Sequence, residues 1–151
     1  MREKVNRFQR ILKTRVKNRE EEQFILADQK SEEEKLITHL DMLHTEKKRA
    51  FDSFCTQQGA LLTPGEMWFH RKSIDVADKR ICDGNSSLCD VRQAIEETEV
   101  RLVEKHREVR IMEKYISTIV DEWREDTLKS EQFEMDDIAG IRHGAGGVKK
   151  A

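Results

Sequence analysis

Pro64 is the only proline in the chain, and the long segments on either side of it are dense in charge and almost free of helix breakers. Proline lacks a backbone donor and clashes with the preceding turn, so an α-helix accepts it freely only in its first turn. Two long helices, before and after residue 64, are therefore the economical expectation. Glycine agrees: of the seven, Gly140, Gly144, Gly146 and Gly147 fall in the last dozen residues. Charged residues make up 38% of the chain and aromatic residues only 6%, the balance of a long helix or coiled coil rather than of a compact globule.

A coiled-coil seam alternates steps of three and four residues. From Val5 that series runs through Phe8, Leu12, Leu26, Leu36, Leu40, Leu43, Ala50 and Phe54. Its polar members, Arg15, Arg19, Glu22, Gln29 and Glu33, cluster in the middle, with Lys47 apart. The seam is real but diluted, and it predicts a first helix over residues 3–58. From Met67 the series is cleaner, with 13 apolar positions of 17 up to Trp123. Its phase holds across Cys82-Asp83-Gly84-Asn85-Ser86-Ser87, which composition alone would assign to a loop. A free loop would keep register only by chance, so the spacing favours one helix, weakened or kinked at Gly84, over two. Beyond Trp123 the seam fails. Helix is expected to about Asp136, and the glycine-rich residues 139–151 read as a disordered tail.

The connection is short. Gly59 is placed to end the first helix in the left-handed C′ conformation. Thr63-Pro64-Gly65-Glu66 is a capping box, with Thr63 as N-cap, Pro64 at the first helical position and Glu66 reaching back. The tip, 59–63, is too short for a domain linker and makes antiparallel neighbours. The expected fold is all-α: a long antiparallel two-helix coiled-coil hairpin over 1–138, with the second helix at 64–136. If the chain folds near Leu61, facing residue numbers add to about 122 in an antiparallel pair. Leu40 then faces Ile81, Leu12 faces Val109, and Phe54 faces Met67 and His70. Gly84 falls opposite Leu36 to Leu40, where a missing side chain admits bulk. At 1.5 Å per residue such a rod is ~75 Å long.

Charge is unevenly placed. Met1–Arg19 holds eight Lys or Arg against Glu3 alone, and Val120–Asp137 holds eight acids against Arg124 and Lys129. The formal net charge of −2 argues against a generic nucleic-acid binder. No apolar run approaches the ~20 residues of a membrane helix, so direct membrane insertion is not expected. The basic N-terminus lacks the apolar core of a secretory signal. Cys82 and Cys89 would stand ~10 Å apart along a helix, too far for a disulfide, and reduced thiols are expected for all three cysteines.

No catalytic or metal constellation is present. The five histidines include no pair at the i,i+4 spacing of a helical metal site. His143-Gly144-Ala145-Gly146-Gly147 has glycines without the spacing of a phosphate-binding loop. Two packed helices offer no deep pocket, so neither an enzyme nor a cofactor is expected. What remains is surface. Trp68 and Phe69 flank seam residue Met67 at the tip and cannot all face inward. They either wrap the end of the hairpin or form a partner-binding patch. The basic band from Arg2 to Arg19 is by default a solvated face.

Asn6 to Gln23, NRFQRILKTRVKNREEEQ, resembles the opening of the FliJ proteins of flagellar export and their YscO-type relatives of injectisomes. Those open on an aromatic-Gln-x-aliphatic-Leu element followed by a charge-dense helix. Length, tip and long second helix match as well. The resemblance implies a cytoplasmic, stalk-like component of a type III protein export apparatus, peripheral to the inner membrane. It would sit in the ring of the hexameric export ATPase, promote its assembly and activity, and link it to the membrane protein of the export gate. Contacts with export chaperones are implied too. Phe8, Gln9, Arg10, Ile11 and Leu12 match the motif and would, by resemblance, meet the ATPase. The resemblance leaves flagellum or injectisome open. Two other readings stand beside it: an escort for export chaperones or substrates, and a generic structural coiled coil. The uneven seams favour a monomer over a symmetric oligomer.

Overall fold

In a computed structural model, which describes residues 1–57 and 62–147, the chain is an all-α hairpin of two long helices packed against each other. Helix α1 spans Arg2–Gln57 and α2 spans Pro64–Gly146. The start of α2 is the expected capping box. The Thr63 N–H donates to Glu66 Oε2 at 3.1 Å, and the Glu66 N–H donates to Thr63 Oγ1 at 3.4 Å. Two otherwise orphaned donors are thereby satisfied at the helix entry. Gly59 and Leu61, the expected helix stop and fold centre, lie outside the described residues.

The expected helix end near Asp136 is corrected, because α2 continues to Gly146. Once a helix is nucleated, each added residue needs only its own hydrogen bond to propagate it. Between Gly84 and Gly140 there is no proline or glycine to stop it. Of the segment expected as a tail, 139–146 is helical, and 148–151 lies outside the described residues. The helix also runs unbroken through residues 82–87, as the uninterrupted seam predicts.

The chain divides into two compact units, one of Met1–Arg19 with Glu104–Ala151 and one of Glu20–Val103. In the first, Val109, Met112 and Ile119 are buried, Val109 completely. Phe8 meets Tyr115 edge-on, with ring centroids 5.0 Å apart. Seam residues Arg15 and Arg19 find polar partners across the helix pair. Arg15 Nη1 donates to the Glu108 carbonyl at 3.3 Å, and Arg19 Nη1 donates to His106 Nδ1 at 3.4 Å.

In the second unit, Leu40, Leu43 and Ile81 form a buried cluster joined by Leu88. Gly84 lies against it: a Cβ added there would stand 2.6 Å from Leu40 Cδ2. The missing side chain therefore seats Leu40, where the sequence register places it. Ile95 and Thr98 are also buried. The Thr98 hydroxyl donates to the Ala94 carbonyl and accepts from Arg101 Nη2 at 3.0 Å. The polar stretch of the α1 seam pairs with α2 here too, through Glu22 to Arg101 at 3.4 Å and Glu33 to Arg92 at 2.9 Å. Such partly exposed pairs contribute about 0–1 kcal/mol each. They fix which residues face each other more than they stabilise the pair.

Two polar seam atoms are left over. Arg19 Nε and Gln29 Oε1 are buried with no hydrogen-bond partner among the described residues. An unsatisfied buried acceptor costs about 1–3 kcal/mol. Gln29→Leu should therefore raise the urea midpoint, with helicity unchanged by circular dichroism. A lowered midpoint would mean that the amide has a partner.

Candidate functional site

The surfaces open to partners lie at the tip and at the chain's two ends. At the tip, α1 contributes Phe54 from its last turn and α2 contributes Met67, Trp68, Arg71 and Ile74. Together they line an open, mostly apolar hollow of about 510 Å³. Trp68 and Phe69 are 66% and 65% exposed. They are adjacent in a helix, so about 100° separates them around the axis, and one packed face cannot take both. Trp68 borders the hollow. Phe69 instead meets the His70 ring edge-on, with ring centroids 6.2 Å apart. His70 in turn holds Gln57 Oε1 through Nε2 and lies 6.0 Å from the Phe54 ring. The sequence places the aromatics correctly at the tip. The register also pairs Phe54 with Met67, but it does not show the hollow that this pairing opens.

At the start of α1, the five residues that the resemblance singles out do not form one outward patch. Phe8, Ile11 and Leu12 are half-buried, whereas Gln9 and Arg10 are exposed. Helical geometry makes that division: residues 8, 11, 12 and 15 share the face turned to α2, and 9 and 10 point away. The outward part of the motif is thus Gln9 and Arg10, set among the basic side chains Arg2, Lys4, Arg7, Lys13 and Lys17. Among the described residues none of these cations takes part in an ion pair. Beside them a second hollow, of about 230 Å³, is lined by Met1, Arg2, Val5, Asn6, Val120 and Trp123.

A third surface escaped the sequence reading. From Arg124 to Gly146 every residue of α2 except Thr127 is exposed. Leu128, Phe133, Met135, Ile138 and Ile141 are between 51% and 76% exposed. The signal was available: a failing seam says that this face has no partner in the chain, and says nothing against helix. Glu131 and Glu134 are good helix formers.

Among the described residues no three His, Cys, Asp or Glu side chains come together as metal ligands. The three cysteines are free and exposed. No described helix is long and apolar enough to cross a membrane.

No curated protein and no solved structure matches the chain significantly. A family model, described as flagellar FliJ protein, matches residues 3–147, nearly the whole sequence. The helical hairpin, the Phe-Gln-Arg-Ile-Leu opening and this match agree: the chain belongs to the flagellar FliJ protein family.

Proposed function

We propose that this flagellar export-associated protein is the stalk of the export machine, working by protein contacts without chemistry of its own. Family membership over residues 3–147 carries the reading. The chain ends, with Gln9 and Arg10 outward and Phe8, Ile11 and Leu12 bracing them from the seam, enter the ring of the hexameric export ATPase. An exposed band of cations without ion-pair partners suits a polar or acidic collar, where each cation gains from the local field. The tip, with Trp68 and Phe69, faces the membrane protein of the export gate. On this reading the protein acts in the cytoplasm, beside the inner-membrane apparatus.

The test is hydrolysis by the purified export ATPase with and without the chain. Added protein should raise the rate and co-sediment with the hexamer. Gln9→Ala combined with Arg10→Glu should reduce the rise several-fold, with helicity retained because both side chains are exposed. Neither binding nor stimulation at excess protein would overturn the reading.

The hollow beside Trp68 favours a second reading, an escort that holds export chaperones. Binding of isolated chaperones, lost in Trp68→Ala and without effect on hydrolysis, would support it instead.

A further inference from the structure

The end of α2 is an arm without a partner in its own chain. Residues 124–147 carry five large apolar side chains that are at least half exposed, and only Thr127 is even partly covered. Leu128, Met135 and Ile138 follow one another at i, i+7 and i+10, so they share one face. Phe133 and Ile141, eight residues apart, lie close together on another. Isolated helices of this length are marginal in water and owe their stability to packing of an apolar face. An uncovered face of this kind marks an interaction surface.

Charge narrows what covers it. Eight acids and two bases occupy Val120–Asp137, and no acid of that segment is in an ion pair among the described residues. The complement is present in the same molecule. Met1–Arg19 holds eight bases against one acid, and Arg2, Lys4, Arg7, Arg10, Lys13 and Lys17 present that charge outward. Beside this band lies the hollow of about 230 Å³ lined by Val5, Val120 and Trp123, room for one large apolar side chain. The arm points away from the band of its own chain, because α1 begins where the packed part of α2 ends. A second molecule approaching end to end has no such restriction. Two-fold symmetry then makes both contacts at once, since each arm meets the other copy's band.

We infer that the free protein pairs with a second copy of itself, the acidic arm 124–146 of each lying along the basic band 2–17 of the other. The contact covers one of the arm's two apolar faces and brings opposite charges together. It also occupies the surface assigned above to the ATPase, so pairing and ring entry exclude each other. The self-association itself does not depend on that assignment. It replaces the monomer expected from the uneven seams, which concern only the contact between α1 and α2.

Sedimentation equilibrium of the full chain tests the inference. At low ionic strength the protein should be a monomer–dimer system, and added salt should weaken the dimer, as screening of exposed charges requires. Reversing the band (Lys4→Glu with Arg7→Glu) or the arm (Glu131→Lys with Glu134→Lys) should each raise the dissociation constant roughly tenfold or more. Lys4 and Arg7 belong to the band assigned to the ATPase collar, so their reversal is read by self-association alone; Glu131 and Glu134 lie outside that contact. The two reversed variants mixed together should associate, because the basic arm of one meets the acidic band of the other. Phe133→Ser with Met135→Ser should weaken the dimer at high salt as well. All these side chains are exposed, and unchanged circular dichroism verifies folding. A wild-type chain that stays monomeric, a dimer indifferent to both reversals, or a mixture that fails to pair would each overturn it.

Discussion

Gly84→Leu should destabilise the hairpin by about 1–3 kcal/mol, the usual cost of forcing extra methylenes into a packed core. A Cβ at this position already stands 2.6 Å from Leu40 Cδ2. Leu40 is 6% exposed and clustered with Leu43 and Ile81, so its side chain can move aside only by disturbing that packing. Glycine in mid-helix normally costs about 0.5–1 kcal/mol relative to alanine. Here the vacancy it leaves is filled, and overpacking outweighs the gain in helix propensity. Leu40→Ala alone should cost about 2–5 kcal/mol by opening a cavity. The double variant should lose less than the sum of the two, because the new leucine enters the space the old one vacated. Urea unfolding followed by circular dichroism measures all three. Strict additivity, or a Gly84→Leu chain as stable as the parent, would show that the two residues do not interlock.

Val109→Asp should cost about 3 kcal/mol or more, since it places an unpaired carboxylate at a position with no solvent exposure. Near it, Arg15 Nη1 already holds the Glu108 carbonyl and Arg19 Nη1 holds His106. Ile111→Asp, two residues away on a face 66% exposed, should change stability by about 0.5 kcal/mol or less. The contrast between neighbours tests the seam assignment directly. Equal losses at both positions would mean that the helix is rotated from the orientation described.

Much of the fold was legible because a helical hairpin is specified locally. Thr63, Pro64 and Glu66 make a cap from neighbours in sequence, and a three-four spacing shows which face is covered without reference to distant residues. The same periodicity carried the second helix through Gly84, against the composition of its surroundings. Periodicity is blind where it has nothing to report. It treated the polar seam from Arg15 to Glu33 as dilution, although Arg15, Arg19, Glu22 and Glu33 each have a polar partner on the other helix. It also ended helix α2 early, because loss of a covered face was taken as loss of helix. The motif residues divided for a related reason. A sequence pattern groups Phe8 to Leu12 as one element, and the helix then turns three of them inward and leaves Gln9 and Arg10 to a partner.

The sequence by itself determined that two long helices form, where the second begins, which residues make the seam and to which family the chain is similar. All of these depend on spacing of a few residues. Only the tertiary structure decided that Leu40 is the residue Gly84 seats, that the pairing of Phe54 with Met67 opens a hollow next to Trp68, and that α2 outlasts its partner as an acidic, apolar arm. Those features arise where residues far apart in the chain meet or fail to meet, and no local pattern encodes the place where a partner runs out.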